Sequence, residues 1–406
     1  MLKLEFRKIS EEDYRKFWDK SEQKCFLSAP EIGHLRDNVK LLFYGVFQGR
    51  ELVAAAMIRG SRTLGSYEFY APRGILVDYS DFELLRFFVS NLKKELKKEG
   101  GYLLRIEPNV EKVERDIDGN EVPGGYNNLD AISNLKDLGF HQKKYVEGLS
   151  QITWEFVLPV KGKTEEELIS VMKPNTRRLI AQVETLGIEF KELKREELGE
   201  FYKVETETAN RKEFKARDLA YFERIYDLFV PSGKAKFISA VINPKKCIER
   251  LKEMQKQILA VVPETTKAKK EHAEAIESIA ARIKKAEEIF AGVSEDEVTL
   301  SSGLFFFMKP EILHLAGGNV SRYFKLGGQY LMQWEMIKRA LSGGYDRYNF
   351  YGIPENVNKH PENYGVYEFK RGFSGKVVEL IGEFELVIDA PKMKMIRALK
   401  KLKRII

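Results

Sequence analysis

Cysteine and histidine are scarce in this sequence, and their scarcity narrows the chemistry that it can support. Only two cysteines occur, Cys25 and Cys247, and they form no CxxC pair. This usage is typical of a protein in the reducing cytosol. The five histidines lack the spacing of metal ligands, so we expect no metal site and predict ordinary surface or core positions for them.

Long apolar segments are missing as well. No run of about 18 apolar residues occurs, which predicts that no helix spans a membrane. The amino-terminal residues MLKLEFRKISEEDY are amphipathic and charged, unlike a secretory signal segment. We therefore expect a cytoplasmic protein.

The motifs of several common enzyme classes are absent. There is no GxxxxGK[ST] loop, no GxGxxG after a strand, no HExxH and no GxSxG, so ATP, dinucleotide, zinc and acyl-serine chemistry lack support. The segments PRGILVDYSD and YFKLGGQYL occupy the places where an acetyltransferase grips coenzyme A, but neither has the usual glycine-rich pattern. Coenzyme A is therefore weakly supported as a donor.

The sequence has enough apolar residues for several cores. Its 406 residues are 43% hydrophobic, and this length favours two or three domains. The net charge of +7 comes from residues 392–406, KMKMIRALKKLKRII, which hold seven basic residues and no acidic one. This tail is predicted to be a helix that either packs on the core with a solvated basic side or contacts lipid head groups or RNA.

A strand–helix–strand plan occurs twice. Around residues 69–110, a strand (EFYAP) is followed by a helix from about 81 to 98, a glycine pair and a strand (LLRIEP). Residues 313–354 repeat the plan with LHLAGG, a helix from about 329 to 341, a glycine pair and RYNFYG. Glycine allows left-handed backbone angles at a helix end, and a crossover helix between strands predicts a βαβ unit. We therefore expect two similar α/β domains.

A helical hairpin is predicted from about residue 244 to 290. Ile248, Leu251, Gln255, Ile258 and Val262 follow 3-4 spacing, and after a break a second set extends from Ile276 to Phe290. This pattern is typical of a short antiparallel coiled coil. The flanking segments KAKFISAVI and TLSSGLFFFM are predicted to be neighbouring strands. A purely structural arm and an arm that grips RNA or another partner are both compatible with the pattern.

Five segments match one known family in order and spacing, and together they cover most of the chain. The most specific lies in residues 343–383 and contains NFYGI, YGVY and FKRGF. The others are YAPRG, LRIEPNV, TETANRKEFKARDLAYF and QYLMQWE. The chain thereby resembles the Fem family of tRNA-dependent peptidoglycan interpeptide-bridge aminoacyltransferases, whose members are FemA-, FemB-, FemX- and MurM-like.

The resemblance implies an α/β (α+β) fold of two acetyltransferase-like (GNAT-like) subdomains with an inserted antiparallel coiled-coil helical arm. We place the first subdomain at residues 1–155 and the second at 156–385, interrupted by the arm at 243–295. A basic C-terminal helix is expected at 386–406.

The resemblance also implies an acyltransferase that moves an amino acid from aminoacyl-tRNA to the stem-peptide amine of a peptidoglycan precursor, usually lipid II. Aminoacyl-tRNA is then a co-substrate, and no cofactor is expected. The family belongs mainly to Gram-positive bacteria, and a peripheral position at the inner membrane face is a further expectation. The alternatives are a coenzyme A-dependent N-acyltransferase and a non-catalytic tRNA- or membrane-binding protein.

The family's Phe-Lys pair matches Phe369 and Lys370. Because an aminoacyl ester is already activated, positioning and charge stabilisation can supply most of the rate. By resemblance, Lys370 stabilises the oxyanion or holds the end of the tRNA, and Phe369 stacks on the terminal adenine or fills the core. The alternative for Lys370 is a strand lysine that faces solvent.

Arginine suits the diphosphate of the acceptor because its planar group donates paired hydrogen bonds. By resemblance, Arg36 contacts the phosphate region of the acceptor. Arg217 and Tyr221 match the segment at 206–222 and would bind the acceptor too. Their alternative is a pair on a helix surface.

Glu107 is expected to orient the incoming amine or accept its proton, the alternative being a strand-end carboxylate without chemistry. Tyr102 lies five residues earlier on the same predicted strand, so the two side chains should point to opposite faces. Tyr102 is predicted to bind substrate, and Tyr323, just before the second crossover helix, is a further binding candidate.

Overall fold

The computed structural model describes residues 3–146, 151–213, 215–355 and 364–402. The chain forms two compact units. The first comprises Met1–Phe156, Gly352–Tyr367 and Lys376–Ile406, and the second comprises Val157–Tyr351 and Glu368–Gly375. Within the described ranges, no helix is both long enough and apolar enough to cross a membrane.

The strands in chain order are β1 (Leu4–Lys8), β2 (Lys40–Gln48), β3 (Glu51–Thr63), β4 (Ser66–Ala71), β5 (Gly101–Ile106), β6 (Glu111–Glu114), β7 (Phe140–Gln142), β8 (Trp154–Pro159), β9 (Glu189–Glu192), β10 (Ala235–Ile242), β11 (Val298–Met308), β12 (Glu311–Asn319), β13 (Arg347–Gly352), β14 (Lys376–Leu380) and β15 (Phe384–Val387). The helices are α1 (Glu11–Lys20), α2 (Phe82–Lys98), α3 (Leu129–Asp137), α4 (Glu165–Val171), α5 (Pro174–Glu184), α6 (Leu198–Arg211), α7 (Leu219–Phe229), α8 (Pro244–Leu259), α9 (Thr266–Ile289), α10 (Gly328–Ser342), α11 (Tyr364–Arg371) and α12 (Ala390–Leu402).

The first unit contains a sheet with the strand order β1-β2-β3-β4-β5-β15-β7. Its neighbours are antiparallel except for the parallel pair β4 and β5, which α2 connects. Asp81 caps the start of α2 by accepting a hydrogen bond from the Leu84 amide at 3.0 Å. The helix ends at Lys98, and Gly100 just beyond its cap has a left-handed φ of +84°. The predicted strand–helix–strand unit is therefore confirmed here.

The second unit contains the strand order β13-β12-β11-β10-β9. The pair β12 and β13 is parallel, and α10 crosses between its strands, as the repeat in the sequence predicts. The rings of Phe201, Phe222 and Phe237 pack edge to face in the core, with centroids 4.9 Å apart for two of the pairs. Both units thus contain a parallel pair joined by a helix.

The helices α8 and α9 form the predicted arm, inserted between the antiparallel neighbours β10 and β11. Leu251 and Ile279 are buried in the seam. The arm is antiparallel, because Lys252 pairs with Glu287 at 2.8 Å near its base and His272 contacts the carbonyl oxygen of Ile258 at 2.7 Å farther out. The predicted seam member Val262 is instead 86% exposed, because α8 ends at Leu259 and the turn carries Val262 away from α9.

The C-terminal strands depart from the expected domain boundaries. We expected residues up to 385 in the second subdomain, but Lys376–Ile406 belong to the first unit, where β15 pairs with β5 and β7. Nor is α12 a separate domain, because Met393 and Ile396 pack against Tyr102 and Leu103. Burial of these apolar side chains fixes the helix on the first unit, which agrees with the core-packed interpretation of the tail.

Candidate functional site

Two chemically distinct residues follow the ends of the parallel pair in the first unit. Ala71 of β4 is opposite Ile106 of β5, so Arg73 and Glu107 lie just beyond the same edge of the sheet. Ligands of α/β proteins commonly bind at the carboxyl ends of parallel strands. Gly74 of YAPRG has a φ of +83°, and a Cβ there would lie 2.9 Å from Pro108 Cα, so this turn requires glycine.

Glu107 is buried in an environment that disfavours its charge. Its exposed fraction is only 4%. Burial raises its pKa to about 7, although the positive charges of Arg73 and Arg105 oppose that rise. The pKa of the Tyr70 hydroxyl is also raised well above its usual value, first by burial and then by the charge of Glu107. A carboxyl group that titrates near neutral pH is suited to accept a proton.

Glu107 lines an open cleft whose walls also carry three glutamates and two lysines, namely Glu355, Glu379, Glu383, Lys112 and Lys143. Glu379 is neutralised, since Lys112 donates to it at 2.9 Å and Arg115 at 2.8 Å. Burial raises the pKa of Glu383. The cleft therefore combines the buried carboxyl group of Glu107 with two further carboxyl groups, those of Glu355 and Glu383, that Lys112 and Arg115 do not pair.

Two arginines of the first unit, Arg36 and Arg59, lie within electrostatic reach of each other. Arg59 of β3 has a lowered pKa, owing to burial and then to the positive charge of Arg36. Its Nε atom is shielded from solvent and has no hydrogen-bond partner among the described residues. Arg36 itself is exposed in the turn before β2. Two neighbouring cations that repel each other are suited to bind an anionic ligand between them. Arg59 was not predicted as a site residue, although it is the lone charged residue in the apolar segment LVAAAMIRG.

Tyr102 lies in a different environment from Glu107, as the alternation along a strand predicts. Its hydroxyl donates to Glu68 at 2.7 Å, and its ring packs under α12 beside Met393 and Ile396. Its side chain is 3% exposed, so the structure does not bring Tyr102 to the cleft.

Lys370 lies on a helix in the second unit and is buried. It belongs to α11, and its exposed fraction is 8%. Its Nζ atom donates to the carbonyl oxygen of Tyr351 at 3.1 Å, which places it at the carboxyl end of β13. The alternative of a strand lysine that faces solvent is therefore wrong, because the helix turns this side chain towards the end of the parallel pair.

A neutral imidazole lies within electrostatic reach of Lys370. Burial, followed by the charge of Lys370, lowers the pKa of His314 to about 3. Its ring stacks on Phe305 with centroids 4.7 Å apart, and its Nδ1 atom lies 3.3 Å from the Gln333 amide. His314 was not predicted as a site residue, although its neighbour Gln333 belongs to the matched segment QYLMQWE.

Phe369 belongs to a small aromatic cluster. Its ring lies 4.9 Å from that of Tyr330 and 5.6 Å from that of Phe373, edge to face in both cases. The side chain is half-buried. This geometry supports the core-filling role and leaves part of the ring accessible.

The segment at 206–222 holds the end of β12 in place. Thr208 accepts a hydrogen bond from the Asn319 amide at 3.3 Å, and Arg211 donates to Ser321 Oγ at 2.7 Å. A Cβ at Gly318 would lie 1.8 Å from Thr208 Oγ1, so α6 and β12 approach too closely for a side chain. Part of this matched segment is therefore structural.

The remaining predicted binding residues lie in the second unit. The exposed guanidinium group of Arg217 stands 5.4 Å from the Tyr221 ring, a cation–π geometry near the start of α7. Tyr323 is 9% exposed, and its ring packs 5.9 Å from that of Phe290 at the base of the arm. Tyr323 thus packs against the arm, and its predicted role in substrate binding stays a prediction. Phe214 and residues 356–363 of the matched segments lie outside the described residues.

The model of the FemAB family matches residues 9–401 of this sequence. The chain belongs to the FemAB family. It is 28% identical to aminoacyltransferase FemA from Staphylococcus aureus (strain bovine RF122 / ET3-1), over 98% of this chain and 99% of that protein. The FemA of strain MRSA252 gives the same identity and coverage. The resemblance seen in the motifs is confirmed, as is the expectation of an acyltransferase enzyme.

Solved structures agree with the fold. The crystal structure of FemX superposes with a TM-score of 0.77 at 24% identity, covering 96% of this chain and 99% of FemX. A tandem GNAT protein from the clavulanic acid biosynthesis pathway gives a TM-score of 0.51 at 12% identity, covering 95% of this chain and 99% of that protein. The predicted pair of GNAT-like subdomains is therefore confirmed.

Proposed function

We propose that this protein moves an amino acid from an aminoacyl-tRNA to the stem-peptide amine of a peptidoglycan precursor such as lipid II, and so builds the interpeptide bridge. The observation that supports this most directly is Glu107, a buried carboxyl group with a pKa of about 7 at an open cleft. It occurs in a chain that matches the FemAB family over residues 9–401.

The reaction exchanges an ester for an amide. The acceptor ammonium loses a proton, and the amine attacks the ester carbon. The nitrogen then gives up a second proton, the bond to the ribose oxygen breaks, and that oxygen takes up a proton. No redox step or separate activation is needed, so binding, proton acceptance and stabilisation of the oxyanion are the tasks left to the protein.

Glu107 supplies the proton acceptor in this proposal. Its pKa of about 7 leaves a substantial carboxylate fraction at neutral pH, and a base with a pKa near the working pH is the most effective one. Glu355 and Glu383 in the same cleft attract the ammonium form of the acceptor. Arg73 keeps Glu107 from becoming wholly neutral, because its positive charge lowers the pKa that burial raises.

Lys370 supplies positive charge in the second unit. Its hydrogen bond to the Tyr351 carbonyl orients the ammonium group, and an ordered cation stabilises a developing oxyanion without reorganisation. The same charge can hold the phosphate nearest the 3′ end of the tRNA. His314 stays neutral beside it, so the imidazole adds no positive charge of its own.

Arg36 and Arg59 bind an anionic part of the acceptor, its diphosphate, in this proposal. The charge of Arg36 helps to lower the pKa of Arg59, and this repulsion is relieved when an anion lies between them. A Gram-positive source, a cytoplasmic location and a peripheral position at the inner membrane face are parts of the same proposal, because they would bring the enzyme to tRNA and to a lipid-linked acceptor.

The test mixes the purified protein with lipid II and a pool of charged tRNAs and determines the mass of the products. We expect the mass of one amino-acid residue to be added to the stem peptide, and we expect none with uncharged tRNA. Acetyl-CoA serves as the competing donor. Acetylation without any dependence on charged tRNA would reject the proposal in favour of a coenzyme A-dependent acyltransferase.

A further inference from the structure

The end of the helical arm, residues 256–270, exposes large aliphatic side chains, and we name it the arm tip. Leu259 is 55% exposed, Val261 is 57% exposed and Val262 is 86% exposed. Farther down the arm, Leu251 and Ile283 are buried between the helices. The apolar side chains at the tip thus have no equivalent burial within the second unit, and water contact with such groups is unfavourable.

The turn at the arm tip is held by specific hydrogen bonds. Thr265 caps α9 by accepting a hydrogen bond from the Ala268 amide at 3.1 Å. A ring nitrogen of His272 lies 2.7 Å from the carbonyl oxygen of Ile258 and ties α9 to the last turn of α8. These contacts close the turn without using the side chains of Leu259, Val261 or Val262. The three side chains are therefore exposed to solvent, and no packing role within the arm accounts for apolar residues at these positions.

Positive charge surrounds this apolar group. Residues 256–270 contain four lysines and a single acidic residue, Glu264. Three of these lysines have an acidic partner about one turn farther from the tip, namely Glu253 for Lys256 at 3.6 Å, Glu271 for Lys267 at 3.8 Å and Glu274 for Lys270 at 4.0 Å. The lysines are therefore nearer to the end of the arm than the carboxylates that partner them. An aliphatic centre with a lysine rim complements a surface that is apolar inside and anionic outside.

We propose that the arm tip docks on an anionic lipid bilayer. Leu259, Val261 and Val262 enter the headgroup region, and the lysines of the tip contact lipid phosphates. Single-stranded RNA is a poorer match, because residues 256–270 contain no aromatic residue and no arginine, the side chains that stack on bases. A second copy of the chain is also a poorer match, since three side chains form far less than the roughly 800 Å² per partner of a stable interface.

This docking goes beyond the proposed chemistry, because lipid binding can be measured without turnover. It also gives the arm a purpose if the acceptor is lipid-linked, and that part depends on the proposed function. A tip that enters the headgroup region would concentrate the enzyme where such an acceptor is found.

The test is flotation of the full-length protein with two kinds of vesicle, phosphatidylcholine alone and phosphatidylcholine mixed with phosphatidylglycerol. We expect binding to the mixed vesicles that weakens with salt. The double variant Val261→Glu/Val262→Glu should bind at least about tenfold more weakly, because it replaces the inserting side chains with charges that lipid phosphates repel. The triple variant Lys267→Gln/Lys269→Gln/Lys270→Gln should weaken binding and flatten its salt dependence.

Val171→Glu is the matched control, because Val171 is 56% exposed on α4, away from the arm in sequence. It should bind the mixed vesicles like the wild type, and thermal unfolding should show that all the variants remain folded. Failure of the wild type to float, an unchanged double variant, or an equal loss in Val171→Glu would each overturn the proposal. Loss of charged-tRNA binding by the double variant, with vesicle binding kept, would overturn it in favour of RNA.

The two proposals can be separated. If the double variant loses vesicle binding while transfer to a lipid-free muropeptide stays at the wild-type level, both stand. If no acceptor is aminoacylated but vesicle binding still depends on Val261 and Val262, the proposed function fails and the docking surface remains.

Discussion

The Nζ atom of Lys370 donates a hydrogen bond to the carbonyl oxygen of Tyr351 at 3.1 Å. Tyr351 has a φ of +63°, which is unusual for a residue with a side chain. The bond joins the end of β13 to α11 and fixes a buried cation at the carboxyl end of a parallel pair. In the first unit, Glu107 follows the carboxyl end of β5, so each unit has one candidate catalytic group at the equivalent edge.

Replacement of Lys370 tests the cation directly. Lys370→Ala should lower kcat by about 10²–10³-fold, as loss of an oxyanion donor does in other acyl-transfer enzymes. Lys370→Arg should recover part of this rate. Lys203→Ala, which removes an exposed lysine from α6, should keep the wild-type kcat. Equal rates for Lys370→Ala and the wild type in single-turnover assays would exclude a role for Lys370 in the chemical step.

The pKa of Glu107 predicts the pH dependence of transfer. A base with a pKa of about 7 must lose its proton before it can accept one from the amine. We therefore expect kcat/KM to rise about tenfold per pH unit below pH 7 and to level off above it. Glu107→Gln should lower the rate and abolish the increase of kcat/KM with pH below pH 7. If the variant keeps this increase, a group other than Glu107 causes the pH dependence.

The same pKa predicts that the folded protein loses stability as the pH rises, whereas the transfer rate increases. In the unfolded chain the carboxyl titrates near 4.5, and in the folded protein near 7. Between these values only the folded protein holds the proton, so the free energy of unfolding falls as pH rises, by about 3 kcal/mol in total from this group. Denaturant titrations at pH 5 and pH 8 should show this loss in the wild type and a smaller loss in Glu107→Gln.

The close approach of α6 and β12 predicts a sensitive glycine. Gly318→Ala would place a methyl group 1.8 Å from Thr208 Oγ1, and relief of the clash must displace α6 or the end of β12. We expect a loss of about 1–3 kcal/mol in the free energy of unfolding. Gly199→Ala on the same helix meets no atom within 4 Å and should be neutral or slightly stabilising. Equal stability of both variants would contradict the predicted clash.

The basic C-terminal tail can be tested separately from the arm tip. Deletion of residues 392–406 should weaken binding to anionic vesicles, with the loss mimicked by high salt. However, Ile396 is 1% exposed, so the deletion also removes core packing, which Ile396→Ala should reproduce as a loss of about 2–5 kcal/mol. Lys394→Gln/Lys400→Gln removes two exposed charges and leaves the apolar packing in place, although it also removes the ion pair of Lys400 with Glu68 at 3.7 Å. Unchanged vesicle binding by this double variant would show that the exposed lysines of the tail do not contribute to membrane binding.

Local patterns in the sequence specify several elements. The helix α2 could be predicted because Asp81 caps its start and a glycine follows its end, and both signals act within a few residues. The arm could be predicted from its apolar spacing. Local spacing did not reveal that Val262 leaves the seam, because this depends on where α8 stops against α9.

The candidate site depends on contacts between distant residues. Arg73 and Arg105 come from different parts of the chain, and the effect of their charges on the pKa values of Tyr70 and Glu107 exists only after the sheet forms. The helical environment of Lys370 was missed for a related reason, since α11 is only eight residues long and short segments carry little periodicity. The matched motif identified the lysine but not its burial.

Taken alone, the sequence determined the family, the two strand–helix–strand units and the inserted arm, and it singled out Glu107 and Lys370 as candidates, because motifs and periodicity are properties of neighbouring residues. Only the tertiary structure decided that β15 belongs to the first sheet, that Tyr102 packs under α12 and that the pKa of Glu107 lies near 7. Strand pairing, burial and electrostatic interactions join residues that are far apart in the chain, and their energies arise only when folding removes the groups from water.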